Sequence, residues 1–300
     1  METPAVSSPE LESETAPDTA VPRSALPITT IRPRSGWRVV DFGELWRFRE
    51  LLFFLTWRDV KVRYKQTALG ALWALLQPFA TMVVFSLFLG KTGVAGGDAA
   101  EVPYPLFVFA GLLPWVFFAN AVSGSSQSVV VNERLVTKIY FPRLIIPMAA
   151  IGATLVDFVI AFGMLLIMMV YYSVAVSWTL FLLPLMVLGL LIAVIGTGAL
   201  LSALTVAYRD FRHATPFLVQ LWMFATPSIY LQNLSRISPV WQNLLPLNPA
   251  YGLISNFRLA MLGKPLDLYA LAVSSGVAVF LLIVGCLYFR RVEDSFADII

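Results

Sequence analysis

Six long apolar stretches constrain the fold of this 300-residue chain more than any other feature of its sequence. Five of them reach or exceed the roughly 20 residues with which an α-helix crosses a bilayer. The fifth along the chain is shorter and carries polar side chains. The six stretches cover residues 69–89, 105–130, 144–174, 180–207, 216–231 and 268–289. We therefore predict an all-α integral membrane protein with six transmembrane helices.

The composition agrees with a membrane protein and argues against a soluble enzyme. Hydrophobic residues make up 58% of the chain and charged residues 13%, whereas soluble domains are about half apolar and about a quarter charged. The net charge of +3 fits basic cytoplasmic loops better than a nucleic-acid interface. The single cysteine, Cys286, cannot form an intrachain disulfide, and we expect it to be buried as a small apolar residue.

Three further segments are predicted outside the spans. Residues 1–36 combine prolines with Ser, Thr and acids, which is typical of a disordered tail. Residues 37–67 are predicted to form an amphipathic interface helix, and residues 292–300 a cytoplasmic C-terminal tail. The six-span membrane domain covers 68–291. Within the interface helix, Leu45, Phe48, Leu52, Leu55 and Val62 oppose the charged face. Trp46 and Trp57 suit a bilayer interface, so this helix is expected to lie on the membrane.

The distribution of Lys and Arg predicts the orientation. Alternate loops on one side hold 11 such residues and those on the other side hold four, Lys91, Arg236, Arg258 and Lys264. Because basic loops stay in the cytoplasm, both termini are expected there. On the opposite side, residues 232–267 repeat apolar residues at helical intervals between prolines. We predict two short re-entrant helices between spans five and six, with an ordinary surface loop as the alternative.

Catalytic groups are sparse. His213 is the one histidine, and nothing near it in the sequence completes the three or four ligands of a metal site. Gly90-Lys91-Thr92 resembles the end of a phosphate-binding loop, but Phe85 stands where that loop requires a glycine. We expect no catalytic residue, no metal and no cofactor in this chain, and no nucleic-acid partner.

Asp157 is the one carboxylate predicted deep inside a span. Such a group is a functional candidate, either as a proton relay or as a polar contact to Ser, Thr or backbone of a neighbouring helix. No intramembrane Lys or Arg is evident as its partner. Small residues at four-residue spacing, Ala149 and Ala153 and then Ala199, Ala203 and Ala207, indicate close helix packing within the bundle or at a dimer seam.

Polar and aromatic side chains concentrate on three of the spans. Such a mixture suits a wide passage for sugars, or else an aromatic belt with core packing. The candidate channel-lining residues are Gln77, Thr81, Phe85, Phe88, Trp115, Trp222, Thr226 and Tyr230.

The inner loop 132–142 predicts a short charged helix. Asn132 is expected to cap this helix, and Glu133 favours its first turn. We interpret it as a docking element, with a plain inter-helix loop as the alternative.

Several ordered motifs resemble those of bacterial polysaccharide-export permeases, the membrane subunits of ATP-binding-cassette exporters for O-antigen, capsule and teichoic acid. The resemblance covers about residues 42–289. Its motifs are WRDVKVRYKQT at 57–67, LG at 69–70, LWALLQP at 72–78, YRDFRH at 208–213, LWMFATPSIY at 221–230, LNP at 247–249, YG at 251–252 and FR at 257–258.

The resemblance implies a homodimer with two separate ATPase subunits, which bind ATP and Mg, in a bacterial inner membrane. It implies a coupling helix formed by Glu133, Arg134, Leu135, Lys138 and Tyr140. It also implies a channel between protomers and outer gate helices. The cargo would be a lipid-pyrophosphate-linked glycan, with the pyrophosphate received by Arg58, Lys61, Arg63, Lys65, Arg209 and Arg212. For these cations, attraction to anionic lipid, about 1 kcal/mol per charge, is the alternative.

Three other functions remain open at this point. A permease of the same architecture could export a drug or a simple lipid. A proton-coupled carrier could rely on Asp157. An integral-membrane glycosyl- or acyltransferase would need clustered carboxylates or histidines at one membrane face, which the sequence lacks.

Overall fold

The computed structural model describes residues 42–65, 67, 69–70, 72–89, 102–174, 177–226, 238–294 and 296. Over these residues the chain is helical and contains no strand. The predicted N-terminal tail, 1–36, lies outside the described residues. The helices are α1 Phe42–Arg47, α2 Arg49–Lys65, α3 Leu72–Leu89, α4 Tyr104–Val131, α5 Glu133–Lys138, α6 Ile145–Tyr171, α7 Leu183–Ala207, α8 Phe211–Phe224, α9 Pro239–Leu244, α10 Pro249–Met261 and α11 Leu268–Glu293.

Among the described residues, four helices are long and apolar enough to cross a membrane. They are Tyr104–Val131, Ile145–Tyr171, Trp178–Ala207 (α7 with the 3₁₀ turn before it) and Leu268–Glu293. Each matches a predicted span to within a few residues. Two predicted spans are less complete. The first corresponds to the shorter apolar helix α3, and the fifth corresponds to α8, which begins before Pro216 and ends at Phe224.

Helix α4 forms the centre of the larger of two apolar cores. Its buried side chains include Phe109, Phe118 and Leu112, and it packs against α3, α6, α7, α8 and α10. A helix that is apolar on all sides belongs in the interior of a bundle. The predicted outer-loop helices are present as α9 and α10, and α10 is largely buried against α4, α7 and α11.

A second core joins α2, α6, α7 and α11. It contains Leu55, Ala149, Ala199, Ala203 and the buried thiol of Cys286. Of the small residues singled out by their spacing, Ala149, Ala153, Ala199 and Ala203 are buried in the bundle, and Ala207 is half-buried. The predicted interface helix is divided at Phe48 into α1 and α2, and Val62 is 72% exposed whereas its neighbour Val60 is buried.

Two glycines set the distance between α7 and α11. A Cβ atom on Gly285 would overlap the backbone of Gly196, and a Cβ atom on Gly196 would overlap the backbone of Leu282. Close backbone approach of this kind is typical of membrane helices. The packing of α7 against α11 thus depends on two positions without side chains.

We expect Gly285→Ala to destabilise the protein, because the added methyl group must push α11 away from α7. Overpacking of a core typically costs about 1–3 kcal/mol. The measurement is the midpoint of thermal unfolding in detergent. Gly276→Ala is the matched control, since a Cβ atom there meets open space on the same helix. Equal midpoints for the two variants would contradict the close crossing.

Candidate functional site

A polar cavity of about 460 Å³ lies between α2, α3, α4 and α6. Its polar lining includes Arg63 and Tyr64 from α2, Gln77 from α3, Asn120 from α4 and Asp157 from α6. Aromatic rings complete the wall: Trp73, Phe117 and Phe158. Four helices thus direct amide, hydroxyl and aromatic groups towards one space.

The carboxylate of Asp157 is bonded to two residues of α2. Arg63 and Tyr64 both donate hydrogen bonds to its carboxylate. Burial raises the pKa of the Tyr64 hydroxyl, and the nearby Arg63 opposes this shift, so the phenol stays protonated and can donate. The sequence shows no intramembrane Lys or Arg as a partner of Asp157; the partner is Arg63 of the predicted interface helix, because α2 runs beside α6.

A second polar contact ties α2 to the start of α5. Arg58 donates to the Oδ1 atom of Asn132 at 2.9 Å and also pairs with Asp59 at 2.8 Å. Asn132 in turn donates from Nδ2 to the Ser128 carbonyl at 2.8 Å. Its side chain makes no capping bond to α5. The predicted cap is therefore wrong, because Arg58 takes the oxygen that would have capped α5.

Helix α5 presents a charged, exposed surface. Glu133, Arg134 and Lys138 are exposed, whereas Val136 is buried in the second core. Just beyond the helix, Tyr140 is 74% exposed. Val136 and the half-buried Leu135 therefore anchor a short helix whose charged side chains are exposed.

Asn248 organises a polar network on the far side of the bundle. Its Oδ1 atom accepts from Trp222 Nε1 at 2.8 Å and from the backbone of Ala250 at 3.0 Å, which caps α10. Its Nδ2 atom donates to Thr226 Oγ1 at 2.7 Å and to the Ala225 carbonyl at 3.2 Å. All four hydrogen-bonding positions of this amide are thus in use.

Arg258 is buried in the last turn of α10. Its guanidinium carbon lies 4.1 Å from the ring centroid of Phe107, and 6% of the residue is exposed. Burial lowers the pKa of Arg258 to about 10, so the group stays charged at neutral pH. A cation stacked on an aromatic ring gains from the quadrupole of that ring.

Comparison with known proteins decides the family. A model of the family described as "ABC-2 type transporter" matches residues 50–262, well over half of the chain. The chain belongs to the ABC-2 type transporter family. It is therefore a multi-pass membrane permease, and its family implies association with an ATP-binding-cassette ATPase.

Individual relatives of this ABC-2 chain are named for polysaccharide export. It is 31% identical over 256 residues to the O-antigen export system permease protein RfbA of Myxococcus xanthus, covering 85% of this chain and 97% of the relative. It is 25% identical over 254 residues to RfbA of Klebsiella pneumoniae, covering 84% and 95%. The polysialic acid transport protein KpsM of Escherichia coli is 28% identical over 78 residues, 26% of this chain and 30% of the relative. The resemblance to polysaccharide-export permeases is confirmed.

The structure separates the residues predicted to line a channel. Gln77 lines the cavity, and Thr81 donates to the Gln77 carbonyl at 2.9 Å. Phe85 packs against the larger core, and Phe88 is 71% exposed. Trp115 is buried, with its ring 5.8 Å from that of Phe118.

The remaining predicted lining residues lie elsewhere. Trp222 and Thr226 belong to the Asn248 network, and Tyr230 lies outside the described residues. Whether any of these residues faces a passage stays a prediction.

The predicted basic residues are similarly divided. Arg58 and Arg63 are engaged within the protein, as described above. Lys61 lies over the ring of Trp57 at 5.4 Å. Lys65, Arg209 and Arg212 are exposed, as is His213. Among the residues that the structure describes, no group of His, Cys, Asp and Glu could hold a metal ion.

Sequence reasoning missed Asn248, Asn120 and Trp73. For Asn248 a signal was present, because Asn followed by Pro is a typical start of a helix, with Asn as the cap and Pro in the first turn. For Asn120 and Trp73, the sequence does not determine which face of the helix turns towards the cavity.

We expect Asn248→Ala to loosen the start of α10. Loss of the cap alone costs about 1 kcal/mol, and Trp222 Nε1 loses its acceptor. The measurements are the thermal midpoint in detergent and quenching of tryptophan fluorescence by acrylamide, which should rise as Trp222 becomes accessible. Asn243→Ala is the control, because Asn243 is exposed on α9. A midpoint as high as that of the control would show that the network does not hold α10.

Proposed function

We propose that this chain is the permease subunit of an ATP-driven exporter that carries a lipid-linked polysaccharide out of the cytoplasm. The observation that carries the proposal is the similarity to an O-antigen export permease along 97% of that protein's length. Similarity confined to one segment would support only a shared fold. A match along the whole permease supports a shared task.

The proposed assembly contains two copies of this chain and two ATPase subunits, which bind ATP and Mg and supply the energy. In each copy α3 and α8 join the four long helices, which gives six spans. An even number of spans puts both termini on the same side, and the excess of Lys and Arg in alternate loops favours the cytoplasmic side of a bacterial inner membrane. Helices α9 and α10 then lie towards the outer side, as a gate.

The exposed basic residues suit the entry of an anionic cargo. Lys61, Lys65, Arg209 and Arg212 are available for charge-assisted bonds to a pyrophosphate. Arg58 and Arg63 are less suited than the sequence suggested, because each already binds an acceptor within the protein. In this proposal they hold α2 in place, and their neighbours receive the lipid.

The proposed export of a polysaccharide is tested by following the cargo. We expect a strain of the native host lacking this chain to accumulate lipid-linked glycan inside the cell and to lose it from the surface. Immunoblotting of surface and cytoplasmic fractions measures both. Complementation with the full chain is the control. A normal surface glycan together with new drug sensitivity would favour the drug exporter and contradict our proposal.

The surface formed by α5 and Tyr140 is the proposed contact with the ATPase. We expect Tyr140→Ala to weaken binding of the ATPase subunit about tenfold, the effect of losing roughly 1.4 kcal/mol, since exposed tyrosines are frequent anchors of interfaces. The measurement is co-purification in mild detergent with a titrated ATPase.

Tyr171→Ala is the matched control for this experiment. Tyr171 is 79% exposed but lies at the other end of α6, where the proposed orientation places no ATPase. If both variants bind the ATPase equally well, the ATPase contacts another surface.

A further inference from the structure

The cavity between α2, α3, α4 and α6 lies deep along the helices that form it. Asp157 is twelve residues beyond Ile145, about 18 Å along α6 at 1.5 Å per residue. Asn120 is eleven residues before Val131, about 16 Å along α4. The end of α4 and the start of α6 are joined by the short segment that contains α5, so both distances are measured from the same side of the bundle. The polar groups therefore stand at matching depths, within the half of the bilayer that the proposed orientation makes cytoplasmic.

Polar side chains at such depth are costly and mark functional sites by default. Ligand sites are concave, mostly apolar and carry a few placed polar groups. The volume of about 460 Å³ falls within the roughly 300–1,000 Å³ of small-molecule sites. The cavity thus has the size and the lining of a binding site.

The charges in the cavity are balanced. Among its described lining residues, Arg63 is the one cation and Asp157 the one carboxylate, and they bind each other. A phosphate or pyrophosphate is held best by uncompensated cations. The balance disfavours an anionic ligand and favours a neutral one.

Two amides in the cavity are available to such a ligand. In the part of the chain that the structure describes, the side chains of Gln77 and Asn120 form no hydrogen bond, and both residues are exposed. Each amide offers two donor hydrogens and one acceptor oxygen. Neighbouring hydroxyls of a sugar need this combination, since every hydroxyl both donates and accepts.

Aromatic rings supply the complementary apolar surface. Trp73 is 52% exposed and borders the cavity, as do Phe117 and Phe158. A pyranose ring has C–H groups on its faces that pack on aromatic rings, while its hydroxyls point outward to polar partners. The cavity offers both kinds of surface, amide groups and aromatic rings.

We propose that this cavity binds a neutral sugar residue of the exported glycan. Gln77 and Asn120 hydrogen-bond to its hydroxyls, and Trp73 packs on its ring. The Arg63–Asp157 pair, with Tyr64, holds the α2 wall against α6. This inference rests on the proposed function and adds a sugar-binding site inside each protomer.

The test measures sugar binding directly. The full chain, purified with its ATPase and placed in lipid nanodiscs, is titrated with oligosaccharide released by mild acid from the surface glycan of the native host. Inorganic pyrophosphate is the second probe. Saturation-transfer NMR reports which ligand binds and how tightly.

We expect Gln77→Ala and Asn120→Ala each to weaken oligosaccharide binding at least fivefold. Gln127→Ala is the matched control, because Gln127 is an amide on the same helix as Asn120 but lies outside the cavity. Trp73→Ala should also weaken binding, and Trp73→Phe should restore most of it. Thermal midpoints equal to that of the unchanged protein show that the variants are folded.

Several outcomes overturn the inference. Oligosaccharide affinity that is equal in all variants, or absent in the unchanged protein, removes the sugar site. Pyrophosphate binding that is lost in Gln77→Ala and Asn120→Ala identifies a phosphate site instead.

The deletion strain separates the two proposals. If it retains glycan inside the cell while the cavity variants bind sugar normally, only the cavity assignment fails. If its surface glycan is normal, the proposed function fails as well.

Discussion

A carboxylate within an apolar helix bundle has to be paired, and Asp157 imposes this requirement on the whole cytoplasm-proximal half of the proposed permease. An unpaired buried charge is far costlier than a paired one. Its partners come from the last turns of α2, so α2 must run alongside α6. Gly152 permits this, because a Cβ atom there would lie 3.0 Å from Thr56. The position of α2, the start of α3 and the cavity between them all follow.

The pairing also bears on the choice between transport mechanisms. A proton-relaying carboxylate must gain and lose a proton during each cycle. Asp157 instead accepts hydrogen bonds from a guanidinium and a phenol of α2. Breaking the ion pair in each cycle would leave Arg63 without its counter-charge. Such an arrangement suits a fixed structural contact, and this agrees with a family whose members associate with an ATP-binding-cassette ATPase.

Local sequence patterns predicted most of the helices, but not which side chains of different helices contact each other. Continuous apolar runs placed four spans to within a few residues, because the length of an apolar run and the thickness of a bilayer are directly related. The fifth run was less certain for a physical reason: Pro216 and the polar residues after it weaken the signal. The partner of Asp157 could not be predicted, since Arg63 stands 94 residues away and was assigned to a surface helix. The same limit applies to Asn132, whose capping role was reasonable locally and was lost to Arg58.

The bundle has two polar regions, the Asn248 network and the cavity lined by Gln77 and Asn120. Their amides differ in use, since the first bonds within the protein and the second are open to a ligand. Asn248 makes four hydrogen bonds within the protein, so it fixes α8, α10 and their junction and has nothing left to offer a ligand. Trp222 and Thr226, which composition alone suggested as channel lining, direct their polar atoms into that network. Gln77 has the same amide group, but it faces a cavity without an internal partner among the described residues. By composition alone, Gln77, Trp222 and Thr226 are equal candidates for channel lining. Their hydrogen bonds differ, and of the three only Gln77 keeps its side-chain polar atoms open to the proposed sugar.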